Sequence, residues 1–163
     1  MLKMICFDMD GTIADLYGVP NWLEMLRAYS TAPYSIANPL LDMRDLADLL
    51  YAIRARGVEI RVITWLSKES TDEYDKRVAD AKREWLRSYY LPIDHFHAIS
   101  YGTSKADVVR SALKDDETAI IFDDDVRVLT SWDVGTAYNP KVVNICEILK
   151  NILNLLLDNC TEM

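Results

Sequence analysis

Ile5-Cys6-Phe7-Asp8-Met9-Asp10-Gly11-Thr12 is an apolar run that hands two carboxylates, one residue apart, straight to a turn. So apolar a run reads as a strand buried on both faces, the usual state of a strand in a parallel sheet. Carboxylates at the end of such a strand are costly to desolvate unless they are paired or used. In parallel α/β sheets the C-terminal strand ends border the crevice where ligands bind. Asp8 and Asp10 at that edge, with Gly11 free to turn sharply, offer a place to hold a divalent cation and attack an electrophile.

Outward from this octet, strand and helix signals alternate to the end of the chain, the pattern of a parallel sheet covered on both faces. Strand one is Met4–Phe7. A helix is predicted from Asn38 as N-cap, with Pro39 in its first position, an apolar stripe of Leu46, Leu49, Leu50 and Ile53, and Gly57 as its stop. Strand two is Glu59–Thr64. The next helix has capping-box spacing at Ser70 and Glu73, then Tyr74, Val78, Ala81, Trp85 and Tyr89 at helical intervals up to Pro92. Its charged side, with Asp75, Lys76, Arg77, Lys82, Arg83 and Glu84, reads as solvated. Strands follow near 96–100, at 119–122 and at 134–138, with helices from about Ser104 and over 142–157. No repeat and no linker interrupts the order, so residues 1–163 are expected to form one domain.

Composition narrows the class. Of 163 residues half are apolar and only five are glycine, which excludes a disordered or low-complexity chain. A formal charge of −8 disfavours a broad nucleic-acid-binding face, which needs a basic surface. Cys6, Cys146 and Cys160 follow no metal-ligand spacing, and their odd number suits a reducing cytoplasm. No secretory signal is apparent, and no apolar stretch is long enough to span a bilayer.

Four polar signals fall just past strand ends or at the next helix start: Asp8 with Asp10, Thr64, Lys105, and Asp123 with Asp124. Singly, each has a bland explanation as a turn, a cap or a solvated side chain. In this order on this scaffold, the chain resembles the haloacid dehalogenase superfamily of phosphohydrolases. The resemblance rests on Phe-Asp-Met-Asp-Gly-Thr at 7–12, Val-Ile-Thr at 62–64, Lys105, and Ile-Phe-Asp-Asp-Asp at 121–125. It implies a Rossmann-like α/β fold, a central parallel sheet of about five strands flanked by helices, with a lid after strand one. It also implies an aspartyl-phosphate mechanism with Mg²⁺ as cofactor. Asp8 would be the nucleophile and Asp10 the acid and base, while Thr64 and Lys105 would contact the phosphoryl group. The metal would be held by Asp8, the Asp10 carbonyl, and Asp123 or Asp124; Asp125 is left to cap the following helix.

Members of that superfamily often carry a cap domain over the pocket. Here only about residues 15–37 are spare, a minimal lid in which 21–30 forms a short helix packing Trp22, Leu23 and Leu26 inward, and an irregular segment through Tyr34 returns the chain. An open crevice favours a bulky phosphorylated substrate such as a nucleotide or a polynucleotide end, with Tyr17, Trp22 and Tyr34 able to offer a flat surface to a base. The layout is similar to the phosphatase half of polynucleotide kinase-phosphatases and to cytosolic deoxyribonucleotidases. It departs from the former in having Trp65-Leu66-Ser67-Lys68 where an arginine-bearing loop is common. A phosphotransferase, a phosphatase of another small metabolite or phosphoprotein, and a non-catalytic phosphate-binding module are the alternatives. A receiver domain is disfavoured because its acidic pair precedes the acceptor aspartate. A P-loop enzyme is excluded by the lack of a Gly-Lys-Ser/Thr loop. Oligomeric state is not encoded in any of these signals.

Overall fold

The computed structural model describes residues 1–161, and side chains through residue 158. From the N-terminus the elements run β1 (Leu2–Phe7), a two-residue strand β2 (Ala14–Asp15), the short helices α1 (Trp22–Arg27) and α2 (Ala32–Ile36), and a second two-residue strand β3 (Asn38–Pro39). Then come α3 (Met43–Arg54), β4 (Glu59–Trp65), α4 (Asp72–Ser88), β5 (His95–Ile99) and α5 (Lys105–Arg110). The chain continues through β6 (Thr118–Phe122), α6 (Val126–Ser131), β7 (Gly135–Tyr138) and α7 (Ile145–Thr161).

The central sheet has five parallel strands in the order β5-β4-β1-β6-β7. Connections leave β1 toward β4 on one side and return to β6 on the other, the strand order of a Rossmann-like doubly wound sheet. The order therefore reverses between β1 and β6, and the crevice beyond their C-terminal ends is where such a sheet leaves room for a ligand.

The pleat sends alternate β1 side chains to opposite layers. Ile5 and Phe7 pack with Leu46, Leu50 and Ile53 of α3, Trp85 and Leu86 of α4, and Leu149 of α7. Met4 and Cys6 face the other layer, with Ala106 and Val109 of α5, Val128 of α6, and Trp132. Both faces of β1 are thus sealed, and its polar continuation has only one way out, past the strand end.

Three local expectations are corrected. Asn38 and Pro39 do not start a helix; they pair antiparallel with Asp15 and Ala14, and Leu40 N–H donates to Ile13 O at 2.9 Å. A helix there would forfeit this clasp, which closes both ends of the insert. The helix begins after Asp42, whose carboxylate accepts from the N–H groups of Arg44 and Asp45 at 2.9 and 3.0 Å. Likewise α4 is capped by Thr71, which accepts from Tyr74 N–H at 3.2 Å, and not by Ser70. In the insert, α1 forms as expected, but Leu23 is exposed and the segment carrying Tyr34 is helical (α2), with Pro33 in its first turn.

The insert is docked on α4. Tyr74 Oη donates to Ser30 O at 2.7 Å, Trp85 Nε1 donates to Ala37 O at 2.8 Å, and Tyr34 Oη bonds Ser67 Oγ at 2.8 Å. Leu16, Tyr34, Tyr74 and Val78 make a small core of their own beneath it. Among the described residues no helix is long and apolar enough to cross a membrane.

The cap assignment has a direct test. Asp42→Ala is expected to lower unfolding stability by about 1 kcal/mol in urea denaturation. Asn38→Ala, an exposed position outside any helix, is expected to stay within about 0.5 kcal/mol of the parent.

Candidate active site

Hydrogen bonding of the β1 backbone extends one residue past the strand. Asp8 N–H donates to Phe122 O at 2.9 Å, and Asp123 N–H in turn donates to Tyr138 O at 3.1 Å. These bonds set Asp8 and Asp123 side by side at the switch point. The chain then turns tightly: the N–H groups of Thr12, Ile13 and Ala14 all point to Met9 O at 3.1, 3.0 and 2.9 Å. Gly11 sits at φ +80°, and a Cβ there would lie 2.5 Å from Asp124 Oδ2 and 2.9 Å from the Tyr17 ring. Any larger residue would push Asp124 away.

Lys105, the first residue of α5, reaches into this corner. Its ammonium donates to Asp8 Oδ1 at 2.6 Å and to Asp123 Oδ2 at 2.7 Å. Burial on its own would lower the lysine pKa, but the two carboxylates outweigh it and hold the group above its ordinary value. Asp123 is pushed up to about 7, mainly by burial and then by the charge of Asp8, with Lys105 acting in the opposite direction. Asp123 Oδ1 also accepts from Asp125 N–H at 2.9 Å. Asp124 pairs with Lys141 at 2.9 Å, and Asp125 caps α6 by accepting from Arg127 N–H at 2.8 Å, as its place in the sequence predicts.

Asp8, Asp123 and Asp124 each offer an oxygen, and these atoms all lie within 4.8 Å of one another. Asp10 is not in this triad. Its carboxylate accepts from Lys82 Nζ at 2.6 Å through Oδ2, and burial raises its pKa against the lowering effect of that lysine.

Lys82 corrects the view of α4 as carrying a wholly solvated charged side. It is 1% exposed, and its ammonium also donates to Thr64 Oγ1 at 2.7 Å and Trp65 O at 2.9 Å. The signal for it was in the spacing: Tyr74, Val78 and Lys82 recur every four residues, and Trp85 and Leu86 continue the same buried stripe. Thr64 is accordingly brought to Asp10 by way of Lys82; it is fully buried, and its side chain is absent from the cavity wall.

In front of the acids lies a cavity of about 1020 Å³. Asp8, Asp10, Lys105, Asp123 and Asp124 form its floor, and Lys68 lies on its wall. Tyr17 and Trp22 meet edge to face at 5.1 Å on the insert side. Trp65 and Tyr101 pack at 5.2 Å elsewhere on the wall, with the Arg127 guanidinium 4.8 and 5.2 Å from their ring centres. Trp65 at the end of β4, Tyr101 in the loop after β5 and Arg127 in the first turn of α6 were not singled out by the sequence as cavity residues. Tyr34 of α2 also borders the cavity, although it is largely buried, and the Lys82 ammonium lies 4.9 Å from its ring centre.

Four carboxylates (Asp8, Asp10, Asp123, Asp124) meet three ammonium groups (Lys82, Lys105, Lys141) here. Close, hard oxygen donors such as those of Asp8, Asp123 and Asp124 are of the kind that can hold a divalent cation.

No protein-family model matches the chain, and no curated protein matches it. Among solved structures, the D,D-heptose 1,7-bisphosphate phosphatase from Burkholderia thailandensis is similar, at 12% identity and a TM-score of 0.49, over 82% of this chain and 74% of that one.

The Lys105 contacts predict a specific stability pattern. Lys105→Met leaves two buried carboxylates facing each other and is expected to cost about 3–5 kcal/mol at pH 7. Adding Asp123→Asn is expected to restore part of the loss. Because the folded-state pKa of Lys105 is raised, its stabilisation is complete below the ordinary lysine value of 10.5 and is lost as pH climbs through the folded value. The gap between wild type and Lys105→Met, read by urea denaturation, is therefore expected to narrow at strongly alkaline pH.

Proposed function

We propose that the chain is a Mg²⁺-dependent phosphomonoesterase of the haloacid dehalogenase superfamily, of the minimal-cap kind. Its substrate is a nucleotide or the terminal phosphate of a nucleic acid. The observation that carries this is the Asp8 carboxylate: it lines the cavity floor, is gripped through Oδ1 by Lys105, and lies within a triad of carboxylates. Among the described residues Asp8 Oδ2 accepts no hydrogen bond, which leaves it for attack.

In this mechanism Asp8 attacks phosphorus, forming an acyl phosphate as the ester P–O bond breaks. Asp10 gives its proton to the leaving oxygen, then takes one from the water that attacks the same phosphorus, releasing phosphate and restoring Asp8. Burial favours the protonated state that the first step needs of Asp10. An anionic nucleophile approaching an anionic phosphoryl group meets repulsion, and Lys105 offsets it from 2.6 Å behind Asp8. The cation would be held by Asp8, Asp123 and Asp124 with the Asp10 carbonyl, where it supplies positive charge to the phosphoryl oxygens.

The room in front of the acids supports this substrate class. A volume of about 1020 Å³ is at the top of the range for small-molecule sites and is far more than a bare phosphate needs. Tyr17, Trp22, Trp65 and Tyr101 give it flat aromatic walls suited to a base, and Arg127 adds a cation beside them. A net charge of −8 argues for a chain end or mononucleotide in preference to a long nucleic-acid track. A cytoplasmic setting suits the free thiols of Cys6 and Cys146.

The experiment is a panel of p-nitrophenyl phosphate, a deoxynucleoside monophosphate and a 3′-phosphorylated oligonucleotide, assayed with Mg²⁺ and with EDTA. Turnover with Mg²⁺ is expected to fall to background with EDTA and in Asp8→Asn. Activity that survives Asp8→Asn would place the chemistry elsewhere. The better of the two nucleic-acid substrates identifies the class. Gly11→Ala, which crowds Asp124, is expected to raise the Mg²⁺ concentration needed for half-maximal activity by about tenfold or more.

A further inference from the structure

We infer that Lys82 is a positioning residue for the proton-transferring carboxylate, acting through Asp10 and never on the substrate itself. The inference deepens the proposed phosphatase reaction and rests on it.

An ammonium has three protons, and each of those on Lys82 has one acceptor: Asp10 Oδ2 at 2.6 Å, Thr64 Oγ1 at 2.7 Å and Trp65 O at 2.9 Å. The group is 1% exposed, with the Tyr34 ring 4.9 Å away on the insert side. It is not among the residues lining the cavity. A lysine so enclosed cannot bind a substrate phosphate, and a solvated surface role is excluded. Removing a charge from water at this depth is costly, and an apolar residue on the α4 stripe would avoid that cost. What the lysine provides is geometry. It ties the Asp10 side chain, just past β1, to the Trp65 carbonyl at the end of β4.

Two consequences follow for the chemistry. With Oδ2 held by Lys82, Asp10 presents Oδ1 as the atom that exchanges the proton with the ester oxygen. And because Thr64 Oγ1 accepts from Lys82, its own hydroxyl proton is turned away from the lysine. Loss of the tether releases the Asp10 carboxylate to rotate. A displacement near 1 Å in a reacting group is enough to cost about 10²-fold in rate.

A displaced proton donor leaves a signature that a purely structural defect does not. An ester whose leaving group departs readily as an anion, such as p-nitrophenyl phosphate, needs little help from Asp10. An alkyl phosphate, whose alkoxide is a poor leaving group, needs the proton. Lys82→Met is therefore expected to lower kcat on an alkyl phosphate about 10- to 100-fold more than on p-nitrophenyl phosphate, with KM for each little changed. In an Asp10→Asn background, the same substitution is expected to have no further effect on the residual rate. Lys82→Arg keeps the charge but not the threefold geometry, and is expected to show the same selective loss in weaker form. It serves in place of Lys82→Met if that variant does not fold.

Equal losses on both esters, an additive effect in the Asp10→Asn background, or no loss at all would overturn the positioning role while leaving the phosphatase assignment intact. Wild-type protein that hydrolyses with Mg²⁺ neither these esters nor the deoxynucleoside monophosphate and oligonucleotide of the panel overturns the assignment, and the positioning role falls with it.

Discussion

A single buried ammonium holds the acidic end of the sheet together. Asp8 and Asp123 are set side by side because β1 and β6 are hydrogen-bonded neighbours, and each follows directly on a strand with no polar side of its own. Two carboxylates that close, away from water, repel each other and resist ionisation. Lys105 lies 2.6 and 2.7 Å from them and makes the arrangement tenable. The helix that delivers it begins at that residue, so the position of α5 against the sheet and the charge state of the site are one constraint.

The rest of the site repeats this pattern with different partners. Asp10 has Lys82, and Asp124 has Lys141. The three lysines differ in exposure: Lys82 and Lys105 are enclosed, while Lys141 stands mostly in solvent. Lys141, mostly in solvent, can leave Asp124 at less cost than the enclosed lysines can leave their partners, because solvent screens its charge. Enclosed pairs do not yield so easily. The side of the site able to change partners is thus the Asp124 side, next to the Gly11 turn. The side that must stay fixed is built on α4 and α5.

How much of this was legible in the sequence differs by scale. The octet at 5–12 and the run at 119–125 announced their strands and their acids, because a buried strand needs a continuous apolar run and nothing else at this length looks like one. The α3 stripe of Leu46, Leu50 and Ile53 was equally plain. The N-cap of α3 was not. Asn38-Pro39 is a good helix start by local chemistry, yet those residues are recruited by Ala14 and Asp15 to close the insert. The cost of leaving that backbone unpaired outweighed a local preference. Lys82 was missed for a related reason. Its four-residue spacing from Val78 marked it for the buried stripe, but a lysine in a charged stretch reads as solvated, and the acid that pairs with it, Asp10, is 72 residues away.

By itself the sequence determined the alternation of strands and helices, the parallel sheet, and the placing of Asp8, Asp10, Lys105, Asp123 and Asp124 at its C-terminal edge, since hydrophobic period and strand-end position are local properties. Only the tertiary structure decided which amine serves which carboxylate, where the insert is fastened, and which aromatic rings face the cavity. Those depend on distances between segments far apart in the chain, and a desolvated charge takes its partner from whatever packing brings within 3 Å.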